Sequence, residues 1–111
     1  MPLLSVSTSE LITDKSLFLK KCSQLISQLT NKPEKYVLVR LFDEIPMYFD
    51  ENERPSCFIE LKSIGSLNPS KMSKELSNLI LNEIGIPYDR IYICFEDVDP
   101  SKWAWNGKTF G

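Results

Sequence analysis

Apolar positions recur along this chain with two different periods. Phe18, Cys22, Leu25 and Ile26 follow the i, i+4, i+7, i+8 spacing of one face of a helix, and so do Met72, Leu76, Leu79 and Ile80. Each window is preceded by a residue suited to accept from free backbone N–H groups, Asp14 and Asn68. Each is closed by a residue that tolerates a left-handed conformation, Asn31 and Gly85, with Pro33 and Pro87 placed to stop the helix. Val37 and Val39, and likewise Ile91 and Ile93, alternate as strand residues do. These positions superpose at a constant offset of 54 residues, and Asp43 and Pro46 then fall on Asp97 and Pro100. The spacing predicts helices over 14–30 and 69–84 and strands over 3–8, 36–42, 57–64 and 90–97. Short extra strands are expected near 47–49 and 103–110.

The repeating unit is therefore strand, helix, strand, used twice, with pseudo-repeats at about 2–50 and 56–104 in one domain over 1–111. A crossover through a helix makes each strand pair parallel and right-handed. The expected fold class is α/β: a duplicated β-α-β unit forming a four-stranded mixed sheet with two helices on one face. Leu3 and Leu4 point to opposite sides of their strand, as do Val37 and Leu38, and Phe58 and Ile59. Strands apolar on both faces need a second cover, which a chain of 111 residues cannot supply itself. A symmetric oligomer is expected.

Composition narrows the function. Hydrophobic residues make up 42% and charged residues 25%, with a net charge of −2. No basic footprint for nucleic acid exists, and no apolar run approaches the roughly 20 residues of a membrane span. Residues 1–10 show neither a basic n-region nor a long apolar stretch, so no secretory signal peptide is expected. Cys22, Cys57 and Cys94 are odd in number and widely spaced, which reads as small residues in a reducing, cytoplasmic setting rather than a metal or redox motif. Export, where it occurs, would use a route that needs no signal peptide. The chain has no histidine, which removes Ser-His-Asp and Cys-His catalysis and histidine-based metal sites. Four scattered glycines form no phosphate loop. No cofactor and no metal are expected.

Acid–base chemistry then falls to carboxylates, tyrosines, lysines, thiols or a terminal amine. Pro2 directly follows Met1, and removal of an initiator methionine is favoured before small residues such as proline. The product is a secondary amine, and α-amino groups titrate near pH ~8. Burial and a nearby cation both disfavour the protonated form, so such an amine can serve as a general base at neutral pH. Lys32 is expected in a helix-to-strand turn. Tyr36 and Tyr92 are expected as strand aromatics, Ser63-Ile64-Gly65 as a strand exit, and Trp103, Trp105 and Phe110 as an aromatic tail.

In this order, Pro2 and Thr8, Lys32-Pro33 with Tyr36, Ser63-Ile64-Gly65, Asp89-Arg90-Ile91-Tyr92-Ile93, Trp105-Asn106 and Thr109-Phe110 resemble the macrophage migration inhibitory factor family, whose vertebrate branch includes D-dopachrome tautomerase. The resemblance spans the whole chain. It implies a homotrimer whose sheets form a central barrel with active sites between subunits. It implies keto–enol tautomerase (isomerase) chemistry on phenylpyruvate-like aromatic α-keto acids, with Pro2 as catalytic base. Lys32 and the Ile64 backbone N–H would bind the carboxylate, with Ser63 alongside. Tyr36, Tyr92, Trp105 and Phe110 would form an aromatic pocket, the last three contributed by the neighbouring subunit. An alternative within the family is a cytokine-like trimer that binds a protein receptor and keeps only vestigial catalysis. Four positions depart from the mammalian cytokine: Cys94 replaces an asparagine, Trp103 a smaller aliphatic residue, Lys62 a histidine, and Ile59 the second cysteine of a Cys-x-x-Cys pair whose first position neighbours Cys57. A thiol is a weak hydrogen-bonding partner, so Cys94 implies little preference for a ring hydroxyl on the substrate.

Overall fold

The computed structural model describes residues 1–111. Strand β1 (Pro2–Thr8) leads to helix α1 (Lys15–Thr30), strand β2 (Leu38–Phe42), strand β3 (Cys57–Ser63), helix α2 (Pro69–Ile84) and strand β4 (Ile91–Asp97). A small hairpin, β5 (Ala104–Trp105) and β6 (Lys108–Thr109), closes the chain. The main sheet has the order β2-β1-β3-β4. Each β-α-β unit pairs its strands in parallel, and the units join antiparallel through β1 and β3. The duplication expected from the repeat is thus the architecture of the sheet.

Local chemistry sets the helix ends. The Leu17 N–H donates to Asp14 Oδ1 at 3.0 Å, and the Lys71 N–H to Asn68 Oδ1 at 3.4 Å. Asn31 and Gly85 both adopt left-handed backbone, φ 56° and 80°. Between them, Phe18, Cys22 and Ile26 of α1 and Met72, Leu76 and Ile80 of α2 are buried. They meet Leu4 and Val6 of β1 and Cys57, Ile59 and Leu61 of β3 in one hydrophobic cluster. Burying each large aliphatic side chain there contributes about 1.5–3 kcal/mol.

Three expectations need correction. Strand β2 begins at Leu38 and β4 at Ile91, because Glu34–Tyr36 and Tyr88–Arg90 form matching 3-10 turns. The prolines at 33 and 87 let each helix be followed by one tight turn before the chain extends. Tyr36 is therefore a turn residue, not a strand residue. The segment near 47–49 forms only an isolated bridge, Phe49 with Asn52. Finally, the face of the sheet away from the helices is mixed rather than apolar. Leu38, Phe42, Phe58 and Tyr92 are exposed, but Arg40, Lys62 and Glu96 alternate among them. Lys62 and Glu96 form an ion pair at 3.5 Å, and Arg40 Nε donates to Ser5 Oγ at 3.0 Å.

Candidate active site

The antiparallel join brings the start of β1 to the end of β3. Pro2 pairs with Ser63, Ser63 with Asp97, and Leu3 with Leu38. One end of the sheet thus gathers the first residue of β1, the turn before β2, the exit of β3 and the segment after β4. Pro2 is fully buried here. Lys32, in the turn after α1, sends its Nζ to the Ile64 carbonyl at 2.9 Å. Ser27 Oγ donates to the Lys32 carbonyl at 2.6 Å and ties that turn to the helix. At the exit of β3, Gly65 has φ +69°, and its N–H donates to Asp97 Oδ1 at 2.9 Å. The Val98 N–H donates to the Ser63 carbonyl at 2.9 Å.

The electrostatics suit a base at this end. With Met1 attached, the Pro2 nitrogen is a tertiary amide, and the Met1 amine is the terminal group. Burial first, then the Lys32 charge and a hydrogen bond from Lys32, hold that amine below its ordinary value of 8.0. Once Met1 is cleaved, the Pro2 nitrogen becomes the terminal amine, one residue deeper into the strand.

The aromatic residues divide into two groups. Trp105 meets Tyr36 edge-to-face, with ring centroids 6.5 Å apart. This corrects the expectation that Trp105 comes from a neighbouring subunit: the hairpin carries it onto the same chain's Tyr36. Phe110 belongs to the same tail, its N–H donating to the carbonyls of Trp103 and Pro100. Tyr92 is elsewhere. It pairs with Phe58, five residues before Ser63 on β3, which at ~3.4 Å per residue puts it about 17 Å from Pro2 along the sheet. Cys94, opposite Glu60, is also exposed on the open face and remote from Pro2. Ser63 pairs with Pro2, but its side chain is fully buried and its Oγ finds no partner, so it is closed to any ligand of the single chain. On the open face near Pro2, a cleft of about 380 Å³ is lined by Leu3, Leu38, Lys62, Glu96 and Trp103, among others.

One chain thus assembles Pro2, Lys32, Ile64, Tyr36 and Trp105 and leaves Tyr92 and Cys94 to face outward. The sequence pattern of one family, Macrophage migration inhibitory factor (MIF), matches the chain over residues 1–111. The chain belongs to the macrophage migration inhibitory factor family. A macrophage migration inhibitory factor homolog of Brugia malayi is 38% identical over 99 residues, covering 86% of each chain. The crystal structure of the family's homologue from Prochlorococcus marinus superposes with a TM-score of 0.94 at 41% identity, over 98% of this chain and 99% of that one. The Trichinella spiralis structure gives a TM-score of 0.91 at 32% identity, over 97% and 99%. No helix of this family member is long and apolar enough to cross a membrane.

Reading the sequence assigned no role to Arg90 or Phe49. Arg90 is 4% exposed and Phe49 packs on Tyr92. Arg90 entered only as part of the Asp89-Arg90-Ile91-Tyr92-Ile93 stretch that carries the family resemblance and as the first residue of the expected strand, a position where solvation is the ordinary expectation.

Proposed function

We propose that this family member is a keto–enol tautomerase for phenylpyruvate-like aromatic α-keto acids, working as a homotrimer with Pro2 as general base after Met1 is removed. The observation that carries the reading is the environment of the chain's start. The Met1 terminal amine is partly buried there beside Lys32, both effects favour its neutral form, and the Pro2 nitrogen exposed by cleavage would start one residue deeper in the same surroundings. Lys32 Nζ has three protons and spends one on the Ile64 carbonyl; once Met1 and its amine are removed, the others can meet a substrate carboxylate. The neutral Pro2 nitrogen would take the proton from the carbon next to the keto group and deliver it to the keto oxygen, giving the enol; the reverse reaction carries it from oxygen back to carbon. Tyr36 and Trp105 would wall the aromatic end of the substrate. Tyr92 and Cys94, too far from their own Pro2, would reach the Pro2 site of an adjacent copy across the open sheet face.

The test is phenylpyruvate turnover by protein of mass-verified N-terminus. Met1-free protein is expected to catalyse the interconversion, and protein that keeps Met1 is expected to be inactive, since an amide nitrogen has no basic lone pair. Equal activity of the two forms would remove Pro2 from the mechanism.

A further inference from the structure

Arg90 is a buried cation with no carboxylate partner. It sits at the end of the 3-10 turn before β4, and none of the chain's ion pairs includes it. Its guanidinium is spent instead on one loop. Nε donates to the Pro55 carbonyl at 3.1 Å, Nη1 to the Phe49 carbonyl at 2.9 Å, and Nη2 to the Arg54 carbonyl at 2.7 Å and Ser56 Oγ at 2.8 Å. Four bonds from one rigid fork fix the loop at both ends, which an ammonium could not do.

The loop needs holding. Phe49 and Asn52 exchange backbone hydrogen bonds of 2.9 and 3.2 Å around Asp50 and Glu51. Both of those residues have positive φ, 53° and 60°, without a glycine at either place. Asp50 tolerates this conformation, but Glu51 occupies the place that glycine usually fills in such a turn. The clamp also governs a ring. The Arg90 guanidinium lies 5.0 Å from the Phe49 ring centroid, and Phe49 lies 4.7 Å, tilted by 54°, from the ring of Tyr92. Phe49 is held between the two, and Tyr92, 63% exposed, has this ring as its one aromatic support.

We propose that Arg90 is a positioning residue of the tautomerase site, acting through Phe49 to hold the Tyr92 ring that one copy of the chain presents to the Pro2 pocket of the next. The inference rests on the function proposed above. It adds a residue that touches neither substrate nor Pro2. The expected signature is in KM, because Tyr92 contributes a wall for the aromatic group rather than a proton.

The experiment measures phenylpyruvate kinetics on Met1-free Phe49→Ala, Phe49→Tyr, Tyr92→Ala, the Phe49→Ala/Tyr92→Ala double variant, and Arg90→Lys. Loss of one aromatic pair is expected to raise KM about threefold to tenfold in Phe49→Ala, with kcat within about twofold of wild type. Phe49→Tyr should restore KM. In the Tyr92→Ala background, Phe49→Ala should cost nothing more, since its only route to the substrate is gone. Arg90→Lys keeps the charge, loses the fork, and should raise KM in the same direction. Where Arg90→Lys does not fold, Ser56→Ala removes one of the fork's four acceptors and is read the same way. Additive losses in the double variant would overturn the proposal. So would unchanged KM in Phe49→Ala and in the clamp variants while Tyr92→Ala raises it. Unchanged KM in Tyr92→Ala would overturn the underlying placement of Tyr92 and this inference with it.

Discussion

Replacing Lys32 by alanine separates two effects that the site combines. The first is contact. Lys32 Nζ stands 2.9 Å from the Ile64 carbonyl, and in the proposed mechanism of the Met1-free protein its remaining protons would give an incoming carboxylate a charge-assisted hydrogen bond. Such bonds contribute about 1.5–3 kcal/mol, which converts to a KM increase of roughly 10- to 150-fold when the lysine is lost. The second effect is on the base. Burial is the larger cause holding a terminal amine here below 8.0, with the Lys32 charge and hydrogen bond next. A base works when neutral, so kcat/KM rises as pH passes its pKa. Lys32 lowers the pKa of the Met1 amine, and the same charge would act on a terminal Pro2, so its removal should raise that pKa and move the acid limb to higher pH. Because burial remains, the limb should stay below that of an exposed amine. The assay is the pH–rate profile of Met1-free wild type and Lys32→Ala on phenylpyruvate, with subunit assembly checked in parallel. A higher KM with an unmoved limb would make Lys32 a carboxylate contact alone. A limb displaced to lower pH would refute the electrostatic reasoning outright.

Three further outcomes follow from the geometry. Glu51→Gly relieves a left-handed conformation costing about 1–2 kcal/mol, offset by about 0.5–1 kcal/mol of extra unfolded-state entropy; its urea midpoint should therefore rise modestly, and a lower midpoint would contradict this. Burial pushes the Cys22 and Cys57 thiols up from 9.0 to about 12. The unfolded chain thus loses these protons first as pH climbs, so their stabilisation is full below pH 9 and drains away toward pH 12. A Cys22→Ala/Cys57→Ala variant should show a shallower alkaline loss of stability, and an unchanged slope would exclude these thiols as its source. Sedimentation at micromolar concentration should give three chains per particle, whereas a stable monomer would leave Tyr92 without a site to complete.

Helix limits, caps, stops and the inward faces of both β-α-β units were legible in the sequence, because each depends on residues within a turn or two of one another. Asp14 and Asn68 accept from N–H groups three residues ahead, and Asn31 and Gly85 turn the chain by their own backbone freedom. The duplication was legible for the same reason, as two copies of one local code. Pro2 was a candidate base from its place after Met1, and Lys32 and Ile64 took their roles from resemblance, but periodicity alone does not bring them together. Their meeting depends on β1 running antiparallel to β3 in one register, and a slip of one residue would turn Pro2 to the other face. Only the tertiary structure decided that Trp105 packs on Tyr36 of its own chain and that Tyr92 stands far from its own Pro2. The role of Arg90 was the least visible. A buried guanidinium is stabilised here by carbonyls at positions 49, 54 and 55, contacts set by the path of a loop and not by the identity of its residues, since every residue carries the same carbonyl.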